Sequence, residues 1–269
     1  MTIALAMIPC SGNVAVSSRA LKHSLATLFP KLARASAGEE GAAGDPVMFE
    51  IGRAHVGVAF VDATMPVSDL GRACETTRFW PEAAQALRDH AGHLVVSVGG
   101  ELARIPTATL LTQVCAGVLD TTPSALGVYW VAATTLVRKD AFVSMARQMG
   151  IHGPPQSIWV DFRVASRAEG GSLGYTFGLS ALGLLEFEAI DAPEPLAQLF
   201  DRLEALAARV LRHGPVIRTG DAVSRHESEK VGVMDAPSAF GNPARVLRLH
   251  FVEVPAVAPR PWWARLLGR

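Results

Sequence analysis

Residues 157–191, SIWVDFRVASRAEGGSLGYTFGLSALGLLEFEAID, are the most informative part of this chain for its architecture. They contain two or three runs of strand length, SIWVDFRVAS, LGYTFGLSAL and LLEFEAID. The glycine-rich turn at 169–172 and Gly183 separate these runs, and such turns connect antiparallel neighbours. The stretch therefore predicts an antiparallel meander. The side chains that we expect to be mostly buried in it are Trp159, Phe162, Phe177, Leu179 and Phe187.

The segments on either side alternate between strand and helix patterns. Towards the N-terminus a strand at 2–8, a helix, a hairpin about Gly52 and Arg53, a second helical region and a strand at 93–98 follow one another. This order is typical of the ferredoxin-like, split-βαβ arrangement. After the meander come an amphipathic helix over about 195–212 and a last strand over 245–254. We expect an α+β protein with two sheet-bearing halves of ferredoxin-like element order and a central antiparallel meander.

The composition predicts one folded unit followed by a short tail. We expect residues 1–254 to form a single compact α+β unit, with possible halves 1–103 and 104–254. Residues 255–269 differ because three prolines favour an extended spacer, and Trp262 and Trp263 stand among arginines. Such a tail can lie at a membrane surface or dock in a partner's groove. Alternatively, both tryptophans fold back and cover the domain's own apolar surface.

Charge and cysteine usage narrow the class of protein. The chain has 25 basic (Lys and Arg) and 25 acidic residues, so its net charge gives no sign of a nucleic-acid partner. Cys10, Cys74 and Cys115 lack a CxxC spacing and are predicted to be free thiols in a reducing compartment. No apolar run approaches the roughly 18 residues of a membrane span. We expect a cytoplasmic protein without a transmembrane segment.

Two histidines are weak candidates for catalysis or metal binding. His90 and His93 have the spacing of two metal ligands at the end of a predicted helix, but a site needs at least a third ligand. The alternative is that His90 interacts with the helix dipole and His93 starts a strand. We favour this alternative, and we expect neither a metal nor a cofactor.

Two glutamates complete the weak catalytic candidates. Glu186 and Glu188 alternate with apolar residues in LLEFEAI, so in a strand they share one face. Two carboxylates on one face can act as general acid and base. Equally, they can form the solvated side of a half-buried strand, or pair with Arg163 and Arg167 on a neighbouring strand.

Other residues are candidates for binding. The run GLSALG lacks the GxSxG pattern of a nucleophile elbow, so its small residues predict a turn. The polar segment around 219–229 is either a binding loop or a solvated connection. The binding candidates are Gly178, Ser180, Asp221, His226, Trp262 and Trp263.

Four runs stand out when they are taken together: RDHAGHLVVSVGG, LGVYWVAATTLV, GYTFGLSALGLLEFEAID and RTGDAVSRHESEKVGV. Through them the chain resembles the bacterial domain of unknown function 4261 family over roughly residues 2–254. This resemblance implies a fold and a bacterial origin, and it implies no mechanism. In addition, GLSALGLLEFEAI is similar to a motif of the suppressor-of-fused superfamily, whose bacterial members often act as immunity proteins that bind and neutralise toxins.

Two functions follow from these observations. The first is a non-enzymatic protein-binding module, most concretely an immunity or accessory protein of a toxin or secretion locus, with another protein as its partner. The second is a hydrolase or nucleotide-handling enzyme using Glu186, Glu188, His90 and His93. Only the enzyme requires these four side chains to converge in the folded protein.

Overall fold

A computed structural model describes residues 2–32, 45–224 and 229–252. The helices are α1 Ser18–Leu28, α2 Val67–Thr76, α3 Ala83–Ala86, α4 Arg104–Thr121, α5 Lys139–His152, α6 Gln156–Trp159 and α7 Leu196–His213. The strands are β1 Thr2–Cys10, β2 Val47–Ile51, β3 Ala54–Val61, β4 Gly92–Gly100, β5 Gly127–Trp130, β6 Thr135–Arg138, β7 Asp161–Ser166, β8 Ser172–Phe177, β9 Phe187–Ala192, β10 Lys230–Pro237 and β11 Arg245–Val252. None of the helices in these ranges combines the length and apolar character that a membrane crossing requires.

The first sheet has six strands in the order β2-β3-β4-β1-β5-β6, and all neighbours are antiparallel. Its apolar residues face α1 and α4, which pack closely because Gly117 of α4 lies against Leu21 and Leu25 of α1. On the opposite face, α2 and α3 cover the end around Tyr129 and Leu136 through a smaller apolar cluster. One half of that face therefore lies outside the two apolar clusters.

The second sheet has five strands in the order β10-β11-β9-β8-β7. Strands β9 and β11 are parallel, and the other neighbours are antiparallel. Helix α7 packs on one face, where the rings of Phe162 and Phe200 meet edge to face with centroids 5.3 Å apart. On the other face, Tyr175 is half-buried and Met234 is exposed.

A single apolar cluster includes residues of both sheets. The rings of Trp130, from β5, and Trp159, from α6, stack with centroids 6.3 Å apart. The indole Nε1 of Trp159 donates a hydrogen bond to Thr112 Oγ1 of α4 at 2.9 Å, which satisfies the polar atom of this buried ring.

The predicted α+β class and the central antiparallel meander of β7, β8 and β9 are confirmed. Within the meander Trp159, Leu179 and Phe187 are buried, whereas Phe162 and Phe177 are only half-buried. The ferredoxin-like detail is not confirmed. A βαβ unit joins parallel strands, but β3 and β4, which α2 and α3 connect, are direct antiparallel neighbours.

Two local predictions were wrong, and two strands were not predicted. SIW, expected to begin a strand, forms the helical turn α6 directly after Pro155, whose fixed φ suits the start of a helix. No sequence pattern predicts β6 or β10, and β6 follows a turn in which Thr134 has φ +55°. The helix expected to reach His90 extends only over Ala83–Ala86. Because β5 pairs with β1 and β6 pairs with β5, both belong to the first sheet, and the two sheets divide between residues 138 and 161.

The three thiols should differ in reactivity because they differ in burial. Burial raises the pKa of Cys10 to about 11 and raises that of Cys115 still further, while half-buried Cys74 has a more modestly raised pKa. A raised pKa leaves less thiolate, which is the reactive form. We expect a thiol reagent at about pH 8 to label at most Cys74 in the folded protein and all three thiols after denaturation. A Cys74→Ser variant should then be unreactive when folded, and rapid labelling of this variant would contradict the prediction.

Candidate binding site on the second sheet

Glu186 fixes the turn that follows β8. Its carboxylate is 2 % exposed and accepts hydrogen bonds from the backbone N–H groups of Gly178 and Ser180, both at 2.9 Å, and from Thr176 Oγ1 at 2.7 Å. The Thr176 hydroxyl oxygen in turn accepts from Phe187 N at 2.8 Å. The carboxylate thereby links the end of β8 to the start of β9.

The turn itself explains two of the binding candidates. Gly178 has φ +123°, and a Cβ at this position would lie 2.3 Å from the carbonyl oxygen of Trp159. Only glycine fits such a conformation and such a close approach. Ser180 is exposed. Its backbone N–H donates to the Glu186 carboxylate, and its carbonyl oxygen accepts from the Arg104 guanidinium. Gly178 is thus required by the turn, and Ser180 alone of the two presents a side chain to solvent.

Glu188 is equally buried and is covered by the loop 238–242. One carboxylate oxygen accepts from the Ser238 hydroxyl, and the other accepts from Ala239 N at 2.9 Å and lies 3.4 Å from Arg248 Nη2. Neither glutamate is therefore solvated, and the hydrogen bonds described for them do not involve Arg163 or Arg167. The loops that follow β8 and β10 fold over both carboxylates and provide their donors.

His90 lies just before β4 and His93 lies in it, and both anchor the segment before α2. His90 Nε2 accepts from Met65 N at 2.7 Å, and its Nδ1 lies 2.7 Å from the Leu87 carbonyl oxygen. His93 Nδ1 lies 2.8 Å from the carbonyl oxygen of Ala63. The structure does not bring these histidines together with the two glutamates. The histidines are hydrogen-bonded to residues 63, 65 and 87, whereas the glutamates are hydrogen-bonded to residues 176–180 and 238–248. Within the described ranges, no group of three or more His, Cys, Asp or Glu side chains is arranged to hold a metal.

Asp221 shapes an exposed loop beside β10. Its Oδ2 accepts from Arg218 N at 2.8 Å, and Thr219 Oγ1 accepts from Asp235 N at 2.9 Å. The loop is thereby attached to the edge of the sheet. The remaining binding candidates, His226, Trp262 and Trp263, lie outside the described residues.

A stack of one arginine and three aromatic rings lies on the face of the second sheet opposite α7. We call Arg163, Tyr175, Phe177 and Phe240 the arginine–aromatic stack. Tyr175 and Phe240 stack with ring centroids 4.6 Å apart and an interplanar angle of 20°. The Arg163 guanidinium lies 5.5 Å from the Tyr175 centroid and 4.8 Å from that of Phe177. All four residues are half-buried, so each presents part of its surface to solvent.

Arg163 is held in this stack by several polar contacts. Its guanidinium donates to Asp161 Oδ2 at 2.6 Å, to Thr134 Oγ1 at 2.9 Å and to Tyr175 Oη at 3.2 Å. Burial alone would lower the pKa of Arg163, but the hydrogen bonds that it donates to Asp161 and Tyr175 raise it overall. Thr134 is β-branched with φ +55°, a strained conformation of the kind that clusters at functional sites. The arginine is thus preorganised.

Asp161 also lines a cleft between the two sheets. The Arg78 guanidinium lies over the Phe200 ring there, 3.8 Å from its centroid, and Phe162 and Glu204 complete this part of the wall. The cleft encloses about 60 Å³. Small-molecule pockets span roughly 300–1,000 Å³, so this cleft is too small for a metabolite of ordinary size.

Most of this stack is not evident from the sequence. The sequence suggests Arg163 only as a partner for the glutamates, and it suggests no site for Tyr175 or Phe240. The alternation of side chains along DFRV and GYTF can be read from the sequence. The register of β7 against β8 cannot, and it is this register that pairs Arg163 with Tyr175 and Asp161 with Phe177, so that their side chains meet.

The comparisons with known proteins concern this same sheet. The family model of the domain of unknown function DUF4261 matches residues 175–250, which include Glu186, Glu188 and three members of the stack. No curated protein and no solved structure matches the chain. The resemblance to suppressor-of-fused proteins thus receives no support from these comparisons. The resemblance of this chain to the DUF4261 family is confirmed over residues 175–250.

Proposed function

We propose that this protein is a non-enzymatic protein-binding module whose partner docks on the arginine–aromatic stack. The observation that carries the proposal is a preorganised arginine between half-exposed aromatic rings, on the sheet face that α7 leaves open. Tyrosine and arginine are enriched at the centres of protein interfaces, where rigid planar groups lose little entropy on binding. Met234, exposed on the same face across from Arg248, extends the apolar part of this surface.

The roles of the four catalytic candidates support binding over catalysis. A general acid or base must reach the proton that it transfers. In this protein Glu186 and Glu188 are buried and accept hydrogen bonds from the loops that cover them, and His90 and His93 hold the segment before α2. Alanine substitutions at these four positions therefore test stability more than activity.

The more specific role that we propose is an immunity or accessory protein of a bacterial toxin or secretion locus. This step rests on the similarity of GLSALGLLEFEAI to suppressor-of-fused proteins, and in this chain that segment contains Glu186 and the turn that it fixes. An immunity protein needs no active site. It needs a surface of ordinary interface size, about 800 Å² per partner.

The test is co-expression with the products of neighbouring genes, scored for rescue from toxicity and for co-purification. Phe240→Ala and Met234→Glu should each weaken the complex at least tenfold, about 1.4 kcal/mol, because they remove or charge part of the proposed contact surface. Ile151→Ala is the matched control, since Ile151 is 81 % exposed on α5, away from the second sheet. A partner that binds both face variants with unchanged affinity would refute the docking surface. Turnover in a hydrolase screen, without any stable partner, would refute the binding function.

A further inference from the structure

The outer edge of β7 is an open strand edge. In the described part of the chain, β7 is the last strand of the second sheet and pairs with β8 alone. Successive residues of an antiparallel strand point their backbone N–H and C=O groups alternately towards the partner strand and away from it. In this register Arg167 N donates to Gly171 O at 3.1 Å, so the odd-numbered residues of β7 bond to β8. The residues whose backbone groups point outwards are Phe162, Val164 and Ser166.

The chain itself covers the opposite edge of the same sheet. The loop 218–224 runs along β10, where Gly220 N donates to Val233 O at 2.8 Å and Val233 N donates to Asp221 O at 2.9 Å. Uncovered edges pair readily with other strands, and proteins often block them with lysine, proline or a covering loop. Strand β7 contains neither lysine nor proline, and no backbone hydrogen bond within the described ranges involves its outward groups. The sheet is therefore closed at β10 and open at β7.

The two faces of β7 offer different side-chain contacts along this edge. On one face Arg163, the member of the arginine–aromatic stack on this strand, uses three of its five N–H groups in the hydrogen bonds described above. On the other face Phe162 lines the cleft of about 60 Å³, whose wall also contains Phe79, which is 40 % exposed. This volume is too small for a metabolite but suits the end of one apolar side chain.

We propose that the partner binds by adding an extended segment to β7, as a sixth strand of the second sheet. In strand addition the main-chain hydrogen bonds provide affinity, and pockets for alternate side chains provide specificity. The residue of the segment opposite Arg163 lies on the face of the stack, and its two neighbours lie opposite Phe162 and Val164. The segment that fits best therefore has a hydrogen-bond acceptor between two apolar residues, one of which reaches the cleft.

The positions of the stack and the cleft favour an extended segment over a helix or a folded surface. Because successive side chains of a strand point to opposite faces of the sheet, one extended segment contacts Arg163 and the cleft at the same time. A helix lying on the stack would reach only one of them and would leave the outward groups of β7 without backbone partners. This inference rests on the proposed binding function and specifies the part of the partner that binds.

The first test is hydrogen exchange of single backbone amides in the full chain, measured by NMR. In the free protein the amides of Val164 and Ser166 should exchange at least about tenfold faster than those of Arg163 and Ala165, which bond to β8. If Val164 and Ser166 were as well protected as their neighbours, the edge would already be covered, by residues 253–269 or by a second copy, and the proposal would be overturned.

The second test uses a displayed library of random twelve-residue peptides, selected for binding to the full chain. The tightest peptide should slow exchange at Val164 and Ser166. Val164→Pro should weaken its binding at least about tenfold, because proline removes an outward N–H and spares the pairing with β8. Ser166→Pro, at the exposed end of β7, tests the same edge should Val164→Pro fail to fold. Met48→Pro is the matched control, since Met48 points its N–H outwards on the edge strand β2, and it should bind like the wild type.

A library that yields no binder, or a peptide that binds both β7 variants as tightly as the wild type, would overturn the proposal. The natural partner separates this inference from the proposed function. Affinity that falls with Phe240→Ala but not with Val164→Pro would leave docking on the stack intact and show that strand addition is wrong. Affinity that falls with neither variant would contradict both.

Discussion

Arg202→Met is expected to lower the free energy of unfolding by about 3–5 kcal/mol. Arg202 is 2 % exposed on α7, and its Nε and Nη2 donate to the two carboxylate oxygens of Glu194 at 2.8 and 2.9 Å. The guanidinium also binds Glu229 and donates to the Val223 carbonyl oxygen at 3.1 Å. Methionine fills much of the same space but leaves the Glu194 carboxylate, itself buried, without its cation.

Denaturation by urea, followed by circular dichroism, measures this effect. Arg209→Met is the matched control, because Arg209 is exposed on the same helix, and it should change the free energy of unfolding by less than about 0.5 kcal/mol. Adding Glu194→Gln to Arg202→Met should recover part of the loss, because the double variant no longer buries an unpaired carboxylate. A loss below about 1 kcal/mol for Arg202→Met would show that this network contributes little to stability.

Helix α7 shows how far the sequence predicted the structure. The spacing of Leu199, Leu203, Leu206 and Val210 predicted an amphipathic helix, and α7 extends over Leu196–His213 with these residues buried. The same spacing did not predict that Arg202 is buried beside them. Its acidic partners come from the connection between β9 and α7 and from the segment before β10, so their contact depends on tertiary structure.

The strands were predicted less well than α7 for a similar reason. The four-residue strand β6 is stabilised by its pairing with β5, and β10 by its pairing with β11, and neither carries a strong strand pattern of its own. Strand propensity depends on such neighbours. The alternation in LLEFEAI predicted a half-exposed strand, yet both glutamates are buried, because the loops that cover them begin 8 and 50 residues away along the chain.

Glu186→Ala is expected to lower the free energy of unfolding by about 3 kcal/mol or more. The substitution removes the acceptor of Gly178 N, Ser180 N and the Thr176 hydroxyl, and each buried donor without a partner costs about 1–3 kcal/mol. Glu186→Gln should cost less, because the amide oxygen can still accept from the two backbone N–H groups. Urea denaturation of both variants measures the difference.

Glu169→Ala serves as the control for Glu186→Ala, because the Glu169 side chain is 85 % exposed and pairs only at the surface with Arg167. Exposed pairs of this kind contribute about 0–1 kcal/mol, so this variant should unfold nearly like the wild type.

If Glu186→Ala were as stable as Glu169→Ala, the carboxylate would not be what holds the turn. The burial of Glu186 would then need another explanation, and a role in binding or catalysis would be the first to examine. If Glu186→Ala unfolds easily and Glu186→Gln does not, residues 176–187 of the family-matched segment encode a folded turn. Glu186 and Gly178 then fix the two ends of one hydrogen-bonded unit.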